Sequence, residues 1–83
     1  MNADKLIIKL KKETQNIDFQ LKDENQYFIV LYYYQKQLSI YGYVKFDKAT
    51  LQNKKVYKKY IQIMARDIAY AIGRKAFLKE SYG

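Results

Sequence analysis

The 83 residues hold 16 Lys and Arg against 8 Asp and Glu, a formal net charge of +8, and contain no Cys, His, Pro or Trp. That composition rules out disulfides, thiolate or imidazole metal ligands and a histidine base, and its length suits one domain with a modest core. The charge is uneven, net +1 over residues 1–47 and net +7 over residues 48–83, which points to a polyanionic partner, although Lys, Ile, Tyr and Asn all have A/T-rich codons and base composition alone raises a lysine count.

The first segment, Asn2–Lys12, is two-sided. Leu6, Ile7 and Leu10 form a helical stripe, with Asn2 or Asp4 as a cap and lysines in the last turn. Leu6, Ile8 and Leu10 would equally alternate on a strand. Lys and Leu are good helix formers, so a short helix is the favoured reading and a fourth strand the alternative. Ile17–Lys22 then alternates as an edge strand with one buried face. Lys22–Gln26 is a turn by composition.

Tyr27–Tyr34 is apolar at every position, the pattern of a central strand covered on both faces. Gln35–Gln37 is a polar corner. Leu38–Phe46 alternates, with Leu38, Ile40, Val44 and Phe46 on one face and Ser39, Tyr41, Tyr43 and Lys45 on the other. Neither turn has the Asn-Gly signal of a tight hairpin, so the register, and which tyrosines join Tyr41 and Tyr43, stays open. Gly42 marks a bulge or a close approach of another backbone. After Asp47, a turn or cap residue, and the connector Lys48–Gln52, the stretch Asn53–Leu78 has helical period. Tyr57, Ile61, Met64, Ile68, Ala71 and Ile72 share one arc, and Lys55, Lys59, Gln62, Arg66 and Gly73 the opposite one. The C-terminal end of this helix is long enough to overhang the sheet, where Ala76, Phe77 and Leu78 could meet a second copy. Ser81-Tyr82-Gly83 reads as a frayed tail. No secretory signal is evident, and the longest apolar run is far short of the roughly 20 residues that cross a bilayer. The expectation is an intracellular, cytoplasmic protein.

Two candidate sites emerge. Lys54, Lys55, Lys58, Lys59, Arg66 and Arg74 lie along the polar side of the last helix, where they could meet successive phosphates without reading bases. Lysine outnumbers arginine, which argues for low sequence specificity. A solvated helix face is the plain alternative. Tyr41, Tyr43 and Lys45, with Ser39, offer aromatic rings interleaved with lysine, the chemistry on which single-stranded bases stack. Coverage by a helix or a dimer mate is the plain alternative there.

Catalysis is not expected. Ser39, Ser81, Thr14 and Thr50 have no histidine to activate them, Asp23 and Glu24 sit in a solvated turn, and Asp67 balances charge among cations. No cofactor or metal is called for.

The order α-β-β-β-α, with Lys54-Lys55-Val56-Tyr57-Lys58 opening the last helix, resembles a double-stranded-RNA-binding domain, a family that places a Lys-Lys-x-Ala-Lys run there to grip phosphates. The likeness covers topology and three lysines. Tyr57 stands at the small-residue position, the glycine-marked turns are missing, and eight residues, Asp47–Lys54, lead from the third strand to the lysine run. A three-stranded sheet followed by a helix is also similar to sheet-reading DNA-binding domains, by topology alone. The chain is assigned to neither family.

The sequence thus reads as one α+β domain: a three-stranded antiparallel meander packed against a long C-terminal helix, with a short N-terminal helix. The expected function is non-catalytic binding of DNA or RNA through the basic helix. The alternative is a protein–protein module using the Tyr-rich face, as a homodimer or as a viral- or plasmid-type factor that binds a host protein. No membrane partner is expected.

Overall fold

The computed structural model describes residues 1–82, with side chains through Glu80. It consists of α1 (Ala3–Glu13), β1 (Asp18–Glu24), β2 (Phe28–Gln35), β3 (Ile40–Asp47), α2 (Lys48–Gln52) and α3 (Tyr57–Tyr82). The α+β meander is as expected, and the expected tail is helical through Tyr82, with Gly83 outside the described residues.

The first segment is helix. The Asn2 side chain accepts the Lys5 N–H at 2.9 Å, Asp4 sits in the first turn, and Lys11 and Lys12 sit in the last. All three suit the helix dipole and its unpaired end groups. Ala3, Leu6 and Leu10 are buried while Ile8 is exposed, which is the i, i+3, i+7 spacing of a helix and not the alternation of a strand.

The three strands form one antiparallel sheet in the order β1-β2-β3. Asn25 shapes the first turn by accepting the N–H groups of Tyr27 and Phe28 at 2.7 and 2.9 Å. At the second turn the Gln35 side chain accepts the Leu38 N–H at 2.7 Å, and Ser39 is left-handed with φ 54°. Leu38 and Ser39 therefore belong to the turn, and β3 starts at Ile40. Tyr32 pairs with Tyr43, Tyr33 with Gly42 and Tyr34 with Tyr41. No bulge occurs at Gly42. The ladder is broken instead in β1, between Leu21 and Asp23, which leaves Lys22 as an extra residue on that edge.

α1 and α3 lie on the same face of the sheet. Leu6, Leu10, Ile29, Leu31, Phe46 and Ile61 form one end of the core, and Ile17, Tyr33, Ile40, Ile68 and Ile72 the other. Ile61, Ile68 and Ile72 of the expected arc are buried, and so is Ala65, whose small side chain lets the helix approach. The expectation of cover on both faces is corrected. No described element packs over Phe28, Val30, Tyr32 and Tyr34, because an antiparallel sheet can keep one face wet and tyrosine tolerates that position. β1 is also barely covered. Phe19 is half-buried, whereas Leu21, beside the bulge, is exposed.

The connector after β3 is helical because Asp47 caps it, accepting the N–H and the hydroxyl of Thr50 at 2.9 and 2.7 Å. Asn53 ends α2 and nucleates a turn, its carbonyl accepting from Val56 and Tyr57, so α3 begins at Tyr57 rather than Asn53. Tyr60 locks this corner, its ring edge-on to Phe46 and its hydroxyl accepting the Asp47 N–H at 2.9 Å. At the far end the Lys79 ammonium donates to the Leu38 carbonyl at 3.2 Å, so α3 reaches the tip of the β2–β3 turn.

Candidate nucleic-acid interface

The capped α2 and the Asn53 turn bring the start of α3 beside α1. Lys54 and Lys58 thereby join Lys5, Lys9 and Lys12 around a groove with the Tyr57 ring between them. Its two parts, of about 610 and 260 Å³, share Lys9, Lys12 and Tyr57. The Lys9 ammonium stands 5.5 Å from the Tyr57 ring centre, so the aromatic face offsets part of that lysine's charge without cancelling it. Among the described residues the ion pairs are Lys11–Asp18 at 3.4 Å and Lys48–Glu24 at 2.8 Å. None of the five groove lysines has a carboxylate partner. Glu13 lines one part of the groove.

Sequence reasoning missed the α1 contribution. Lys5, Lys9 and Lys12 follow i, i+4, i+7 spacing and would have been found had the segment been fixed as helix. Lys55 and Lys59 are exposed beside the groove. Arg66 and Arg74 are not part of it. They lie further along α3, roughly 12 and 24 Å beyond Lys58 at 1.5 Å per residue. There they flank the exposed Ile63, Tyr70 and Phe77, with the Arg74 guanidinium 6.0 Å from the Tyr70 ring. The six expected cations therefore form a line with a dense end, not a cluster.

Two other lysines of α3 have structural work. Lys75 donates to the Tyr41 carbonyl at 2.7 Å and to the Tyr33 hydroxyl at 3.5 Å, and Lys79 holds Leu38. Part of the C-terminal charge excess is thus spent on clamping the helix to the β2–β3 hairpin.

Tyr41, Tyr43 and Lys45 do come together, but on the opposite side of the sheet from the helices. The register adds Tyr32 and Tyr34 to them. The Tyr32 ring stacks on Tyr34 at 6.4 Å and tilts against Tyr41 and Tyr43 at 6.0 and 5.5 Å. Lys45 lies over the Phe28 ring at 4.6 Å, and Lys22, on this face by alternation from Asp18 and Gln20, lies over Tyr43 at 5.8 Å, while the bulge brings Asp23 onto the same face. Lost hydration pushes the Tyr32 hydroxyl pKa up, and the neighbouring Tyr34, Tyr43 and Tyr41 push it further in the same direction. Asp18 and Asp23 stand on the β1 side of the same face, beside a shallow depression of about 460 Å³ between Asp18, Gln20, Tyr32 and Tyr34.

Among the described residues no group of three or more acids is placed to hold a metal ion, and no helix is long and apolar enough to cross a membrane. Comparison with protein-family models, curated proteins and solved structures finds no match to this chain.

Proposed function

We propose that the protein is a small, non-catalytic nucleic-acid-binding protein that holds the phosphate backbone at the junction of α1 and α3. The observation that carries this reading is the convergence of Lys5, Lys9, Lys12, Lys54 and Lys58 from two elements on one groove, with no carboxylate partner. Like charges gathered this way repel one another, and a polyanion relieves that repulsion while releasing its own counterions. Lys55 and Lys59 extend the contact, and Arg66 and Arg74 give a longer strand further anchors along α3. With one lysine type dominating and no arginine in the groove, the grip is on backbone charge and not on base edges. Tyr41, Tyr43 and Lys45 face the other way and do not share a ligand with the groove.

Fluorescence anisotropy with labelled single-stranded DNA, duplex DNA and duplex RNA tests this. Five phosphate contacts imply a log–log salt slope of about −4.5 on duplex DNA and about −3.5 on a single strand, so affinity should fall roughly 500-fold or 100-fold between about 50 and 200 mM salt. A Lys9→Glu, Lys12→Glu, Lys58→Glu triple variant should keep its circular dichroism spectrum and lose at least about 100-fold in affinity at the lower salt. Absence of binding by the parent protein at about 50 mM salt, or full binding by the triple variant, would sink the proposal.

A further inference from the structure

The open sheet face is the largest feature that the groove reading leaves unused, and its charges set it apart from the rest of the molecule. On a chain of net charge +8, this face sets Lys22 and Lys45 against Asp23 and against Asp18, which also meets Lys11 of α1 at 3.4 Å, and both ammonium groups already lie over aromatic rings. A single strand of nucleic acid stacks on such rings when a cationic track follows its backbone. Here that track is balanced by acids. A locally neutral face centred on Tyr32, Tyr41 and Tyr43 has the composition of a protein interface, where tyrosine is enriched and net charge is depleted.

We propose that this face is the interface of a homodimer, with a second copy of the chain stacked sheet to sheet. The register supplies the complementarity. Asp23 and Lys45 both pair with Val30, from opposite sides. They therefore stand level with each other at the two edges of the face. A two-fold axis running along the strands, midway between the sheets, lays β1 of one copy over β3 of the other and preserves each level. Asp23 of each copy then meets Lys45 of the other, Gln20 meets Tyr43, and Tyr32 meets its own symmetry mate on the axis. This is the self-complementarity an isologous contact requires, within the rotation of about 30° between packed sheets. Three strands of seven or eight residues give a footprint of roughly 14 by 25 Å. That is about 350 Å² per copy, less than half of what each partner contributes to a standard specific interface, so the contact is a weak, transient one that needs tens of micromolar chain or more to form.

Sedimentation equilibrium between about 5 and 500 μM reads the mass directly. The 10.0 kDa chain should approach twice that mass with a midpoint in the tens of micromolar. Tyr32→Lys should be a folded monomer throughout, with circular dichroism as the control. Lys45→Asp should weaken association about tenfold, and the Asp23→Lys, Lys45→Asp double variant should restore it, since the exchange rebuilds the same two pairs. The inference is overturned if the parent chain stays monomeric at 500 μM, if it is monomeric and loses single-strand binding on Tyr43→Ala, or if a dimer survives Tyr32→Lys but not Phe77→Lys, which would move the interface to α3. A double variant no better than Lys45→Asp alone overturns the two-fold arrangement. The mass readouts are independent of whether the lysine groove binds nucleic acid.

Discussion

Two glycines of this chain have opposite reasons to be small. At Gly42 a Cβ would come within 2.5 Å of the Tyr33 Cζ and 2.8 Å of the Lys75 Nζ. Tyr33 is 3% exposed, wedged against Ile17, Ile68 and Ile72, and cannot swing away at no cost. At Gly73 a Cβ would meet nothing within 4 Å. Gly42→Ala should therefore destabilise by about 1–3 kcal/mol, as overpacking does, whereas Gly73→Ala should stabilise by about 0.5–1 kcal/mol through helix propensity. Urea unfolding of the two variants checks the opposite signs, and equal effects would contradict the packing described. The sequence marked Gly42 as unusual because nothing else interrupts that strand. It could not name Tyr33 as the cause, since the pairing of Tyr33 with Gly42 depends on a turn, closed by the Gln35 side chain and the left-handed Ser39, that carries no standard signal.

The elements were legible where periodicity was long and hidden where a single side chain decides. α3 is readable over six turns, while its start is displaced by one residue, Asn53, which closes α2 and opens the next turn. α2 exists because of Asp47. Its carboxylate accepts two hydrogen bonds from Thr50, first the hydroxyl and then the backbone N–H, and these hold its pKa below the usual carboxylate range. A depressed folded-state value contributes stability that is present above the unfolded pKa, near 3.9, and is lost as pH falls through the folded one. Asp47→Asn should thus lower stability near neutrality and flatten its decline between about pH 5 and pH 3 relative to the parent. Thermal melts across that range check the sign. A parallel decline in both proteins would mean that the cap is not what the acid titrates. The same corner orients Lys54 and Lys58 beside α1, so the variant should also weaken nucleic-acid binding at neutral pH.

At the scale of the whole molecule, the sheet separates two chemistries. Basic side chains gather on the helical side, and balanced charge with tyrosine on the other. From the sequence they read as two candidate sites, the tyrosine face a second contact for the ligand of the lysine run, because strand alternation does not say on which side of the sheet the following helix returns. The fold puts both helices on one side, and each surface is left to act alone. If two chains stack through the tyrosine face, their grooves point outward on opposite sides of the dimer. A nucleic acid long enough to wrap from one groove to the other then gains from the second contact as an effective concentration, whereas a short oligonucleotide occupies one groove and gains nothing. Tyr32→Lys should accordingly leave the affinity for an oligonucleotide of about 10 nucleotides unchanged and weaken binding to one of about 60 nucleotides by at least about tenfold. Lys9→Glu with Lys12→Glu should weaken both. Anisotropy at one salt concentration separates the two patterns. An equal loss for short and long ligands in Tyr32→Lys would place the tyrosine face in direct contact with the nucleic acid and remove the dimer from the account of affinity.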